Sequence, residues 1–250
     1  MHRIKITVLQ IRNLTKIYSK NSRPAVENLN LTIGDGEIFG FAGLNGAGKT
    51  TTIRIAAGVL SPTSGTVLIN GNDIVTEKIK ASYNIGWVPE SPVFEPDAKP
   101  LWLMKYFGGL NGMKSSESMK RGMDLLRLMK LDGELDKKFR EYSQGMRKRF
   151  ALGAAMLSDP GNYLFDETLN GLDPEGVRSV RNVILELKQK GKAVFISSHI
   201  LSELEKVCDK VAIIDKGKLV EVINREKMES MAARGTRLED HFFELIDYPA

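Results

Sequence analysis

The sequence predicts an α/β protein whose largely parallel core sheet is interrupted by one helical insertion. Three observations carry that expectation. Short apolar runs of strand length alternate with stretches of helical periodicity towards both ends of the chain. A glycine-rich loop, Gly43-Leu44-Asn45-Gly46-Ala47-Gly48-Lys49-Thr50-Thr51, sits between one such run and a helical stretch. From Ser91 to Pro100 the composition turns proline-rich and aperiodic, and the segment that follows reads as helical.

Residues from Ile4 to Ile11 alternate apolar with polar, and the run ends in Lys16-Ile17-Tyr18. Val26 to Ile33 alternates again and reaches the turn Gly34-Asp35-Gly36. Both read as strands, joined by the polar loop from Ser19 to Pro24. Glu37 to Ala42 is too brief and too punctuated by glycine for a buried helix, so it reads as a strand. Thr52 to Leu60 reads as a helix halted at Ser61-Pro62, because a residue before proline is pushed out of the helical region. Gly65 to Ile69 forms a strand, with Asn70-Gly71 marking a tight reversal, and Asn84 to Glu90 holds another that ends at a proline.

In the insertion, Leu101 to Leu110 and Glu117 to Leu131 are helical, the second with Met119, Met123, Leu126 and Met129 at helical spacing. The methionines of this region, with Met104 and Met113, read first as packing filler, and otherwise as an adaptable surface for a partner. Gly145 to Leu157 is amphipathic, with Met146, Phe150, Ala154 and Leu157 on one face, which leaves Arg147-Lys148-Arg149 as a solvated face. Strand character returns in Asn162 to Glu167 and in Lys192 to His199. Between them Asp173-Pro174-Glu175 opens a helix, with aspartate as the cap and proline in the first helical position. A helix from Ile200 to Cys208 precedes the hairpin Val211 to Val222, which closes the sheet. From Asn224 the chain is charged and helical in character, with apolar residues gathered at Phe242-Phe243 and Leu245-Ile246. A packing helix is the expectation there, and a regulatory or dimer contact the alternative.

With 42% hydrophobic and 27% charged residues, the composition is that of an ordinary globular chain. No apolar stretch approaches a membrane span, and Met1 to Val8 alternates like a strand rather than a signal peptide. The chain is therefore expected to stay in the cytoplasm unless a partner tethers it. The net charge of +5 comes from 36 basic and 31 acidic residues scattered together. Nucleotide, anionic lipid headgroups or no partner at all could account for that balance, but without a clustered basic and aromatic stripe no nucleic acid is expected. Cys208 is the single cysteine, so no internal disulfide is possible, and its apolar neighbours Leu201, Leu204 and Val207 make it a buried small hydrophobe.

Gly43 to Thr50 fits the pattern G-x-x-x-x-G-K-[ST], in the strand, turn and helix context the pattern needs before it means a phosphate cradle. Glycine lets successive backbone N–H groups converge on one anion, and the helix start adds its unpaired donors and positive dipole end. Lys49 is then expected on the β- and γ-phosphates, with the Thr50 hydroxyl on a magnesium ion. An apolar strand ending in Asp166 puts that carboxylate at the edge where ligands bind in open α/β sheets, where it would hold magnesium mostly through water. Neighbouring side chains on a strand point to opposite faces, so Glu167 joins the same site only if the strand ends there. It then reaches a water in line with the γ-phosphate and takes or orients its proton. Tyr18 reads either as a half-buried tyrosine or as a ring on which adenine stacks.

Taken in order, these motifs resemble the nucleotide-binding subunit of an ATP-binding cassette (ABC) transporter, from about Ile4 to Val222. Tyr142-Ser143-Gln144-Gly145-Met146 stands where the family signature lies, Gly171-Leu172-Asp173 where its D-loop lies, and His199 where its switch histidine lies. The resemblance implies a P-loop NTPase with a RecA-like core sheet, an antiparallel β subdomain and an inserted α-helical subdomain. Residues 1–90 and 159–223 would form the ATP-binding core with the β subdomain, 91–158 the helical subdomain carrying the signature, and 224–250 a C-terminal tail.

The resemblance also implies ATP and Mg²⁺, a second ATP-binding subunit (a homo- or heterodimer), and an integral membrane permease that holds the chain peripherally on the inner face of the cell membrane. Gly43 to Thr51 of one copy and Ser143 and Gly145 of the other would clamp one triphosphate, with Asp173 nearby. Tyr18 would stack on adenine, Glu90 would join Thr50 and Asp166 at magnesium, Glu167 would act as base, and His199 would sense the γ-phosphate. Met146 in place of the signature glutamine and Glu90 in place of another glutamine resemble exporter-type cassettes. The expected function is an ATP-hydrolysing subunit that powers transport, in the export direction, through a separate membrane-spanning partner. The alternative is a soluble ABC-type ATPase acting on nucleic acid or ribosomes, disfavoured by the short insertion and single P-loop. A catalytically silent cassette is disfavoured by the presence of Lys49, Asp166, Glu167 and His199, and a GTPase by the lack of an Asn-Lys-x-Asp tetrapeptide.

Overall fold

Two sheets organise the chain in the computed structural model, which describes residues 9–20 and 22–246. The strand expected from Ile4 is seen from Leu9, and Ile4 to Val8 lie outside the described residues. Strand β1 (Leu9–Lys16) pairs antiparallel with β2 (Val26–Ile33), Leu9 opposite Ile33 and Lys16 opposite Val26. On its other side β1 pairs with β4 (Ser64–Ile69), which carries the short β5 (Asn72–Asp73), so the order is β2-β1-β4-β5. The alternation in sequence is the alternation in space: Leu9, Ile11, Leu29, Leu31, Ile33, Val67 and Ile69 are all buried.

The second sheet contains β3 (Ile38–Ala42), β6 (Ile85–Val88), β7 (Asn162–Asp166), β8 (Ala193–Ser198), β9 (Lys210–Asp215) and β10 (Lys218–Asn224). Their order is β10-β9-β3-β8-β7-β6, parallel throughout except for the antiparallel hairpin strand β10 at one edge. Every residue of β3, β7 and β8 is buried, as expected of near-continuous apolar strands covered on both faces. Phe39 and Phe41 pack into a core shared with the antiparallel sheet, whereas Ile38 and Ala42 pack into the core shared with the inserted helices. This is the α/β P-loop NTPase fold. Because its central strands run the same way, the loops after β3, β6, β7 and β8 leave at one edge.

Helix α1 (Lys49–Ala56) starts and stops earlier than Thr52 to Leu60. Its end is made by Gly58 at φ +72°, whose N–H donates to Ile55 O while Val59 N–H donates to Arg54 O. That left-handed glycine terminates the helix before Ser61-Pro62 is reached. A short α2 (Lys78–Ser82) precedes β6. Between β6 and β7 lie α3 (Pro100–Leu110), α4 (Ser115–Leu128), 3₁₀ turns at Asp132–Glu134 and Phe139–Glu141, and α5 (Gln144–Ala155). Phe94 joins the loop before α3 to this unit, its ring 4.8 Å from Phe139 and 5.0 Å from Phe150. Met104 and Met129 are core filler, but Met119 is 41% exposed.

The basic run on α5 is not a solvated face. Arg147 Nε donates to Tyr142 O, Arg149 Nη1 donates to Met129 O just past the end of α4, and Lys148 is 1% exposed. These cations satisfy carbonyls that turns and a helix end leave without partners. The chain finishes with α6 (Pro174–Gln189), α7 (Leu201–Val207), α8 (Arg225–Ala233) and α9 (Leu238–Leu245). Met228, Leu238, Phe242 and Ile246 join the same buried cluster as Leu204 and Cys208, so the last helices are packed elements. Burial pushes the Cys208 thiol well above its ordinary pKa. No helix among the described residues is long and apolar enough to cross a membrane.

Candidate functional site

The loops that leave the shared sheet edge meet in one cleft of about 230 Å³. After β3 it receives Asn45, Gly46, Gly48, Lys49, Thr50 and Thr51; after β6, Glu90; after β7, Glu167 and Asn170; after β8, His199. Gly48, which caps α1, has φ +109°, and a Cβ there would lie 2.3 Å from Ala25 O, so only glycine fits. The cap supplies no side chain, and the first-turn N–H groups of α1 have no intrahelical acceptor. Ala47 is buried behind the loop, its N–H donating to Leu44 O.

Lys49 folds back along the loop. Its Nζ donates to Gly43 O at 2.7 Å and Leu44 O at 3.1 Å, and pairs with Glu167 Oε1 at 3.1 Å. Tyr18 is 61% exposed rather than half-buried; its Oη lies 3.1 Å from Thr51 Oγ1, and Lys16 Nζ stands over its ring, 5.3 Å from the centroid. Ser143, Gly145 and Asp173 lie outside the cleft. Ser143 caps α5, its Oγ accepting from Met146 N–H at 3.2 Å, and Asp173 caps α6, its carboxylate accepting from Gly176 N–H at 3.0 Å. Gly145 lies against Leu172, so the start of α5 packs on the loop that follows Glu167.

Adjacent carboxylates reach the same region because β7 ends at Asp166 and Glu167 turns into the left-handed region at φ 48°. Such a conformation is uncommon for glutamate and persists where surrounding contacts over-determine it. Ser197 supplies two of these contacts: Glu167 N–H reaches Ser197 O at 3.2 Å and Oγ at 3.0 Å. The Ser197 hydroxyl in turn donates to Asp166 Oδ1 at 2.8 Å, where Thr50 Oγ1 also donates at 3.1 Å. On Glu167 Oε2 converge Asn170 Nδ2 at 2.7 Å and His199 Nδ1 at 3.0 Å. An ionised carboxylate only accepts, so His199 carries its proton on Nδ1 in this contact.

The two acids are shifted in opposite directions. Burial raises Asp166 above the usual carboxylate range, although the Ser197 and Thr50 hydroxyls pull it down. Burial also acts upward on Glu167, but the Lys49 ammonium, assisted by Asn170 and His199, outweighs it and leaves Glu167 low. A desolvated Asp166 with no ion-pair partner among the described residues, next to the Thr50 hydroxyl and in the field of Glu90, is the oxygen donor set a hard dication prefers. Among the described residues no three His, Cys, Asp or Glu side chains are grouped to hold an ion unaided, so water and phosphate oxygens would complete its shell. Asn170, Ser197 and Lys148 carry contacts at the site that sequence reasoning missed. For Ser197 a hydroxyl at the end of an apolar strand was the available signal; nothing set Lys148 apart from its basic neighbours.

The pattern that describes the ABC transporter family matches residues 26–170. A Bacillus subtilis (strain 168) protein, the uncharacterized ABC transporter ATP-binding protein YhcH, is 39% identical over 225 residues, covering 87% of this chain and 70% of its own. The bacitracin transport ATP-binding protein BcrA of Bacillus licheniformis is 34% identical over 254 residues, covering 97% of this chain and 81% of its own. Among solved structures, an ATP-binding subunit of an ABC transporter superposes with a TM-score of 0.86 at 27% identity, over 95% of this chain and 99% of its own. A dimeric ATP-binding cassette, MJ0796, in a post-hydrolysis state with ADP and Pi gives a TM-score of 0.80 at 22% identity, over 87% of this chain and 98% of its own.

Proposed function

The chain belongs to the ABC transporter family, whose ATP-binding domains hydrolyse ATP, and from that premise we propose that it powers export through a separate membrane-spanning partner. The observation that carries the catalytic half is the meeting of Lys49, Glu167 and His199 at one point of one cleft. The loop N–H groups and Lys49 bind the phosphates of ATP, and Tyr18 receives adenine on its exposed ring. When the triphosphate draws Lys49 away, the Glu167 carboxylate is released to accept the proton of the attacking water. His199 donates to Glu167 Oε2 in the resting site and turns towards the γ-phosphate when it is bound. Thr50, Asp166 and Glu90 would hold Mg²⁺, which would supply neutralisation of the charge on the phosphates.

The second half of the site comes from another ATP-binding subunit. Ser143 accepts from Met146 N–H, so the hydrogen of its hydroxyl remains free to be donated to a phosphate oxygen. With Gly145 and the open N–H groups of α5, it would clamp a γ-phosphate held by the partner copy, with Asp173 at the same face. The dimeric post-hydrolysis cassette supports this arrangement. Residues 1–90 and 159–223 then act as the ATP-binding core, 91–158 as the helical subdomain that brings Ser143 to the partner, and 224–250 as a tail.

A permease is expected against the groove of about 280 Å³ lined by Trp87, Pro92, Val93, Phe94 and Ala154, which would keep the chain at the inner face of the cell membrane. The bacitracin transport relative supports transport, and the outward direction rests on the likeness to exporter-type cassettes. The direct test of the site is Glu167→Gln. It should keep ATP binding while turnover falls about 100-fold or more, the size of a lost general base. Undiminished ATPase activity in that variant would remove Glu167 from this role.

A further inference from the structure

Among the described residues only two basic side chains are buried, Lys49 and Lys148. Lys49 has phosphate to bind; Lys148 lies on α5, outside the cleft lining. Its Nζ contacts main-chain oxygens, donating to Glu167 O at 3.0 Å and to Asn170 O at 2.6 Å. An ammonium group is a costly means of filling a core position, and an apolar side chain of equal length would fill it more cheaply. What the charge does there is hold two carbonyls of one turn. Glu167 is left-handed, its N–H fixed by Ser197, and the turn is closed by Asn170 N–H donating to Glu167 O. Lys148 fixes the other end of the Glu167 peptide and the carbonyl of Asn170, the residue whose amide touches the Glu167 carboxylate.

We propose that Lys148 is a positioning residue for ATP hydrolysis, which clamps the left-handed turn at Glu167 and so aims its carboxylate, tying that carboxylate to the helix capped by Ser143. Burial lowers the pKa of Lys148, while Glu90, Glu167 and Asp166 act to keep it charged. Lys148 thus stands in the field of all three acids of the site. The inference rests on the reading of Glu167 as the base.

The test compares Lys148→Met, which keeps an unbranched stem but loses every donor, with Lys148→Gln, which is as long as methionine, one bond shorter than lysine, and keeps part of the clamp through its amide. Steady-state ATPase kinetics and nucleotide affinity are measured for both, beside Glu167→Gln. The Met variant should lose about 10- to 100-fold in kcat, the effect of misplacing a reacting group by about an ångström, with KM for ATP and nucleotide affinity unchanged. Its crystal structure should show Glu167 released from the left-handed region, and the Gln variant should recover most of kcat, remaining about threefold down. A Met variant with the kcat of the original chain, or one whose nucleotide affinity falls in step with kcat, overturns the proposal. If the Met variant does not fold, the Gln variant decides: lowered kcat at unchanged KM supports the clamp, and undiminished kcat overturns it. Full turnover in Glu167→Gln would instead mean that the base itself is misassigned, a separate failure.

Discussion

At the scale of single residues, the site is a set of opposed charges waiting for a ligand. Lys49 occupies the carboxylate of Glu167, and against the upward push of burial that contact leaves Glu167 low. Because the folded pKa of Glu167 lies below its ordinary value of 4.5, the pair adds stability above that pH and loses it as pH falls through the depressed value. Lys49→Met removes the cation and leaves burial to dominate, which raises Glu167 and reverses the sign. Thermal unfolding followed from pH 7 downward should therefore show the stability advantage of the original chain over Lys49→Met shrinking as pH falls, first above pH 4.5 as the raised carboxyl of the variant protonates and then below it as the lowered one does. An advantage that grew on acidification would contradict the pairing. Lys49, Thr50, Asp166 and Glu167 were legible in sequence because motif spacing encodes the backbone path of a loop and a strand end. Asn170 and Ser197 were not, because their contacts exist only once Glu167 adopts φ 48°, a conformation no residue preference announces for glutamate.

At the scale of elements, helix ends decide most of what the site can do. α1 opens on a glycine cap and presents bare N–H groups, whereas α5 opens on Ser143, whose oxygen already serves Met146. Ser143→Asp separates the two tasks of that residue. Aspartate caps helices as well as serine does, so the melting temperature should stay within a few degrees, while its charge repels a γ-phosphate and ATP turnover should fall about tenfold or more. Undiminished turnover in a stable Ser143→Asp variant would remove α5 from the phosphate site. The elements also show where sequence periodicity misleads. Ser61-Pro62 reads as the stop of α1, but the left-handed Gly58 ends it first. Arg147-Lys148-Arg149 reads as a wet face, but a long cation next to a helix terminus finds carbonyls, and periodicity carries no information about a neighbouring element's unpaired ends.

At the scale of the whole molecule, one topological fact underlies the function: parallel strands β3, β6, β7 and β8 deliver their C-terminal loops to a single edge. The alternation of strand and helix patterns made that sheet legible, and the alternating apolar residues made β1 and β2 legible as a half-buried layer. The short β5 and α2 escaped, being too brief to establish any period. The face bearing Ser143 lies outside the cleft on the same chain, so under the proposed function a complete site calls for two chains arranged head to tail. The most direct measurement is the solution mass, by light scattering, of Glu167→Gln with saturating MgATP. Twice the mass of one chain, falling back to a single chain when Ser143→Asp is added, is the expected result; a monomer under saturating nucleotide would contradict a site shared between two copies.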